Sequence, residues 1–148
     1  MGSESPYDAV VFWVSRHALI PSQLKELRRL LGNYRLVPVT GRVPSAEYIV
    51  NLVMKTRERR KVVIPVLPLE MIRRLVKYGR KYGFEVWYSV MDTVATGDGS
   101  KPLPDVNPSE HVLLTYPNGT WVLKKFRCFK RVVDVVVLLE EVGGGGGE

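Results

Sequence analysis

A single cysteine, Cys128, stands in this chain of 148 residues, so no internal disulfide can close and no thiolate cage can hold a metal. Histidine occurs only at His17 and His111, outside any HExxH pattern, so no metal site and no cofactor is expected. GxGxxG and GxxxxGK[ST] are both missing, which removes the glycine signatures of standard dinucleotide sites and P-loop nucleotide hydrolases. No apolar run approaches the roughly 18 residues of a membrane span, and "MGSESPYD" lacks the basic flank and apolar core of a secretory signal. The expectation is a cytoplasmic protein without a membrane partner. Glutamine occurs once, at Gln23, among many charged residues and valines, a bias seen in proteins from hot environments.

Acidic residues are scarce in one region. The formal net charge is +7, yet residues 55–81 carry ten basic and two acidic side chains, while residues 82–119 carry one and five. The excess therefore belongs to a segment and not to the whole surface. Such a segment attracts polyanions, and a charged solvated helix face is the plain alternative.

Strand and helix signals alternate through the first two thirds of the chain. "AVVFWV" (9–14) is a continuous β-branched and aromatic run, as in a strand covered on both faces. In "PSQLKELRRLLGN", Leu24, Leu27, Leu30 and Leu31 recur at helical spacing and Gly32 with Asn33 supplies the stop. "RLVPVTG", "KVVIPVLP" and "EVWYSVMDTV" read as further strands. "VPSAEYIVNLVMKTRERR", with Ser45 as N-cap, and "LEMIRRLVKYGRKYG" read as further helices. Pro38 and Pro65 call for an edge position or a bulge in one of those strands.

A Gly- and Pro-rich loop over 95–110 follows, either a lid or a disordered excursion. A hairpin about Pro117-Asn118-Gly119 comes next, then "RVVDVVVLLEE" as another strand. Short connections of this kind imply a parallel sheet with right-handed crossovers. The expected fold is α/β: a single three-layer Rossmann-like domain over residues 1–142, β-α-β-α-β-α-β with a C-terminal hairpin or antiparallel strands. Residues 143–148 are expected to form a flexible glycine-rich tail.

In such a sheet ligands gather beyond the carboxyl ends of the strands, where helix N-termini converge. Ser15, Arg16 and His17 follow the first strand, Thr40, Gly41 and Arg42 the second, and Asp92 ends the fourth. Two guanidinium forks, two hydroxyls and a glycine suit an anion, although such residues also cap turns. His17, with Asp92 to orient it, is the candidate catalytic residue. Arg16-His17 in "VSRHA" is similar to the Arg-His-Gly strand end of the histidine phosphatase family, with His17 as phosphate acceptor and Arg16 as clamp by that analogy. Ala18 replaces the glycine and no second arginine–histidine signature follows.

The basic segment offers Arg59, Arg60, Lys61, Arg73, Arg74, Lys77, Arg80 and Lys81 as candidate nucleic-acid contacts. "KKFRCFKR" interleaves Phe126 and Phe129 with cations, as stacking on single-stranded nucleic acid requires. The expected function is that of a small basic α/β protein binding a phosphate-bearing partner, nucleic acid or a nucleotide. One rival is a phosphoester hydrolase or nuclease using His17. The other is an oligomeric assembly or accessory protein in which edge strands pair with a second copy, without catalysis.

Overall fold

The computed structural model describes residues 5–143. In chain order the elements are β1 (Ala9–Val14), α1 (Pro21–Leu31), β2 (Tyr34–Val39), α2 (Ala46–Met54), β3 (Arg60–Pro65), α3 (Leu69–Tyr82), β4 (Glu85–Gly97), β5 (His111–Thr115) and β6 (Trp121–Arg131). They build one six-stranded sheet of order β2-β1-β3-β4-β6-β5. β1 is central to the parallel part and buried along its whole length. Its alternating side chains therefore feed two cores.

Val10, Phe12 and Val14 pack with Ile49 and Val53 of α2 and Leu75 and Val76 of α3. Ala9, Val11 and Trp13 pack with Leu27 and Leu31 of α1 and with Trp87 of β4. A strand buried on both faces needs an unbroken apolar run, which is why "AVVFWV" shows no alternation. Pro38 falls on β2, an edge strand, and Pro65 is the last residue of β3, so neither interrupts a central ladder.

The three-layer Rossmann-like expectation is overturned: the sheet is mixed and curls into a half-barrel with three helices. The departure begins in β4. This strand pairs with β3 in parallel only at Val62↔Glu85 and Val63↔Val86, then follows β6 antiparallel from Trp87↔Arg131 to Gly97↔Trp121. Register shifts at Val90/Met91 and Thr93/Ala95 bend it, because an extra residue on one strand increases local twist. The β4-β6-β5 ribbon consequently leans over α1, which is closed in by sheet where a layered sandwich would place another helix. Gln23, buried in α1, ties the two together: its Oε1 accepts from the Ile20 N–H at 3.0 Å and its Nε2 donates to Ser89 Oγ on β4 at 3.0 Å.

Other boundaries also differ from expectation. α2 stops at Met54, where Thr56 turns back to donate through both its N–H and its hydroxyl to the Val53 carbonyl, so Arg59 lies in a connector and not in a helical last turn. β4 runs on to Gly97, shortening the 95–110 loop. That loop is fastened at its far end, where the Ser109 carbonyl accepts from Ser22 N–H in the first turn of α1. β6 ends at Arg131, so "RVVDVVVLLEE" forms no further strand. Residues 144–148 of the expected tail lie outside the described residues.

Gly79 is buried near the end of α3, and a Cβ there would stand 2.5 Å from the Phe84 carbonyl oxygen. Gly79→Ala is expected to destabilise the protein by about 1–3 kcal/mol through overpacking, outweighing the ~1 kcal/mol helix-propensity gain. A fall in the urea midpoint at unchanged slope checks this.

Candidate nucleic-acid interface and strand-end concavity

Two rims carry the sequence-derived candidates. The first lies where β3 and β4 begin and β6 ends. Arg59, Arg60 and Lys61 reach it from β3 and the residue before it, Glu85 from β4, and Arg131 from the last position of β6. Three adjoining concavities share Glu85 and Arg131. One of about 500 Å³ is lined by Arg59, Arg60, Lys61, Gly83 and Phe84 besides that pair. A second, of about 300 Å³, has Leu30, Trp87 and Phe129 as an apolar wall between Arg60 and Arg131. The third, about 330 Å³, extends to Arg80 and Val133.

The rim is preorganised by one carboxylate. Arg60 forks onto Glu85, with Nε at 2.8 Å and Nη2 at 3.3 Å, while its guanidinium lies 5.6 Å from the Trp87 ring centre. The Trp87 N–H also donates to Glu85 at 3.2 Å. Arg60 is the main cause holding the Glu85 carboxyl below its ordinary value; burial opposes it, and the Trp87 N–H and the charge of Arg131 reinforce it. Lys61 Nζ donates to the Thr56 carbonyl at 2.7 Å. Phe129 stacks obliquely on Trp87 at 5.9 Å and on Phe126 at 4.9 Å. Arg59 and Arg131 form no ion pair among the described residues, although Arg59 also lines a neighbouring concavity with Asp8 and Glu58.

The remaining basic candidates divide. α3 runs opposite to the strands it joins, so Arg80 and Lys81 end near this rim while Arg73 and Arg74 lie about 10 Å back along the helix. Arg73 pairs with Glu70 at 3.5 Å, Arg74 with Glu47 of α2 at 3.8 Å, and Arg80 with Asp134 at 4.0 Å. Lys81 sits over the Tyr82 ring, and Lys77 is exposed. Arg131, Trp87 and Phe129 were not singled out for this rim by sequence reasoning. The cation–aromatic mixture of "KKFRCFKR" signals Arg131 and Phe129 without revealing which strand start they meet, and Trp87 carries no such signal within "EVWYSVMDTV".

The second rim lies beyond β1, β2 and β3. Ser15, Arg16, Gly41 and Arg42 line one concavity of about 290 Å³ whose floor is Val14, Val39, Val43, Val66 and Leu67. Arg16 and Arg42 are exposed, and neither forms an ion pair among the described residues. Ser15 is buried, and its Oγ accepts the His17 N–H at 3.1 Å, so this hydroxyl holds a turn. The turn is fixed again by Trp13 Nε1 donating to the His17 carbonyl at 2.6 Å. Thr40 is exposed and outside the lining.

The Ser22 N–H already serves Ser109, and Ser45 Oγ accepts from Tyr48 N–H at 3.3 Å, so the first turns of α1 and α2 are partly closed to a ligand. His17 is exposed, with no hydrogen bond from its ring to a carboxylate among the described residues. Asp92 does not approach it: it lies within β4, well before that strand ends, 3.8 Å from Arg127. His111 Nδ1 accepts from Asn107 N–H at 3.0 Å. Among the described residues no three His, Cys, Asp or Glu side chains gather as a metal site, and no helix is long and apolar enough to cross a membrane. Comparison of the chain with protein-family models, curated proteins and solved structures yields no match.

Beside the basic rim, buried Glu58 receives both prongs of Arg35 from β2, at 2.9 and 3.1 Å, and the Ser5 hydroxyl at 2.6 Å. Arg35 lowers its pKa from 4.5 to about 2, with burial working against the shift and Ser5 adding to it. The carboxylate's stabilisation is complete above the unfolded value of 4.5 and is lost as pH falls through about 2. It is expected to contribute about 1–3 kcal/mol, because Arg35 remains partly open to solvent. Acid unfolding followed by circular dichroism should show a shallower loss of stability over that window in Glu58→Gln than in the native chain.

Proposed function

We propose that this protein is a cytoplasmic nucleic-acid-binding module, and that single-stranded RNA or DNA lies along the rim formed by the starts of β3 and β4 and the end of β6. The observation that carries the reading is the meeting of Arg59, Arg60 and Lys61 with Arg131, more than sixty residues further along the chain, around two adjoining concavities, one of which is walled by Leu30, Trp87 and Phe129. Cations at this density release counterions from a phosphate backbone, and Phe129, half-buried over the buried Trp87, is the aromatic surface that would meet a base without selecting its identity. The Glu85 carboxylate holds the Arg60 guanidinium 5.6 Å from the Trp87 ring centre, so part of the ordering cost is met before a strand arrives. Sequence specificity is expected to be low, since nothing on the rim resembles a helix presented to a major groove.

Fluorescence anisotropy of a labelled single-stranded oligonucleotide across a salt series tests this. Affinity should fall steeply with salt, and Arg59→Gln with Arg131→Gln should flatten the logarithmic slope by about 0.7 for each phosphate contact removed. An oligonucleotide that fails to bind at low salt, or binds with no salt dependence, defeats the reading.

A second reading rests on Arg16 and Arg42 sharing a concavity with no carboxylate in its lining. Their forks suit the phosphates of a mononucleotide, with the valine floor beneath the rest of the ligand. Calorimetry with a nucleoside triphosphate should give binding that disappears in Arg16→Gln with Arg42→Gln and survives Arg59→Gln. Phosphoester hydrolysis at this rim would in addition be abolished by His17→Ala.

A further inference from the structure

The chain beyond β6 is chemically at odds with its surroundings. Val136, Val137, Leu138, Leu139 and Val142 are 70, 53, 89, 90 and 97 % exposed, and the segment joins no sheet. A run of β-branched and leucine side chains in water with its backbone unpaired has the composition of a strand without a ladder. At the same time the sheet has two unequal edges. β2 carries Pro38, which presents no N–H, and Arg35, both of which blunt an edge. β5, "HVLLT", has neither proline nor lysine and ends the sheet on the other side.

The outward face of β5 can be read from its hydrogen bonds. Tyr116 N–H donates to Thr120 O at 2.9 Å and Phe126 N–H to Glu110 O at 3.0 Å, at the two ends of the β5–β6 ladder. Residues exchanging bonds with β6 are therefore the even-numbered ones, and Leu113 and Thr115 turn their N–H and C=O groups away from the sheet.

We propose that Val136–Leu139 of one chain adds as a strand to β5 of a second copy, with the reciprocal pairing closing a two-fold dimer. Reach excludes the same chain. Val132 N–H is bonded to Val86 O at 2.8 Å, and Arg80 holds the Val133 carbonyl and Asp134 against α3. The two residues from there to Val136 extend about 7 Å. The chain's own β5 lies two strand spacings away, roughly 10 Å, and His111 pairs with Lys125, six residues or about 20 Å back along β6. Charge favours the same occupant: Glu140 and Glu141 follow the added segment directly, and Lys124, on β6 opposite Val112 of the open edge strand, forms no ion pair among the described residues. The dimer is independent of nucleic-acid binding.

Light scattering of the full chain should give twice the mass of one chain. Val137→Asp with Leu139→Asp should give a monomer with unchanged circular dichroism. Hydrogen exchange at the Leu113 and Thr115 amides should be slow in the native chain and fast in that variant. A full chain that stays monomeric at all concentrations overturns the proposal, and so does a dimer that survives the substitutions. A dimer whose Leu113 and Thr115 amides exchange as open groups overturns it as well, since the tails would then be meeting each other.

Discussion

β4 must serve two ladders of opposite sense, and the shape of the molecule follows from how it manages this. At its start it continues the parallel sheet for two residue pairs with β3; thereafter its hydrogen bonds go to β6, with two bulges along the way. A right-twisted ribbon bent at two points cannot stay in the plane of a parallel sheet, so it folds over the nearest apolar surface, the buried face of α1. Trp87 and Phe129 complete the core on that side, and Gln23 supplies the polar tie between helix and ribbon. The long antiparallel stretch ends in close contact too: Gly97 faces the Trp121 ring so closely that no Cβ could be placed there.

The same geometry concentrates charge. β6 returns antiparallel to β4, so its last residue arrives where β3 and β4 begin, and Arg131 joins Arg60 and Glu85. Elsewhere much of the basic excess is answered locally: Arg29 by Glu26, Arg73 by Glu70, Arg74 by Glu47, and Arg35 by the buried Glu58. Exposed pairs of this kind contribute little to stability but reduce the field a ligand would feel. Helix α3, with five basic side chains and one acidic, is for this reason less available than its composition implies. Among the rim cations, Arg59 and Arg131 are the ones that form no ion pair among the described residues.

Much of the first half of the chain was legible from local chemistry. An apolar β-branched run bounded by polar residues favours a buried strand, leucines three and four apart favour a helix face, and Pro-Asn-Gly between apolar runs favours a hairpin. Positions that depend on one rim of a parallel sheet followed from this, which is why Arg16, Gly41 and Arg42 meet at one concavity. Asp92 was misplaced because the end of a strand is not written in it. "SVMDTVATG" is continuous with what precedes it only when β6 is there to pair with it. The valine-rich tail misled for a related reason: strand composition states a preference, and a ladder still requires an edge within reach.

The amino-acid sequence by itself determined the elements, their alternation, the two-faced burial of β1 and the uneven charge, because each depends on residues within a turn or two of one another. Tertiary structure alone decided that the sheet curls, that α1 lies beneath a ribbon, and that Arg131 stands with Arg60 beside Trp87. Those outcomes depend on which strand pairs with which and in what register, and the energy that selects them comes from contacts between segments far apart in the chain, from Gly97 with Trp121 to Gln23 with Ser89.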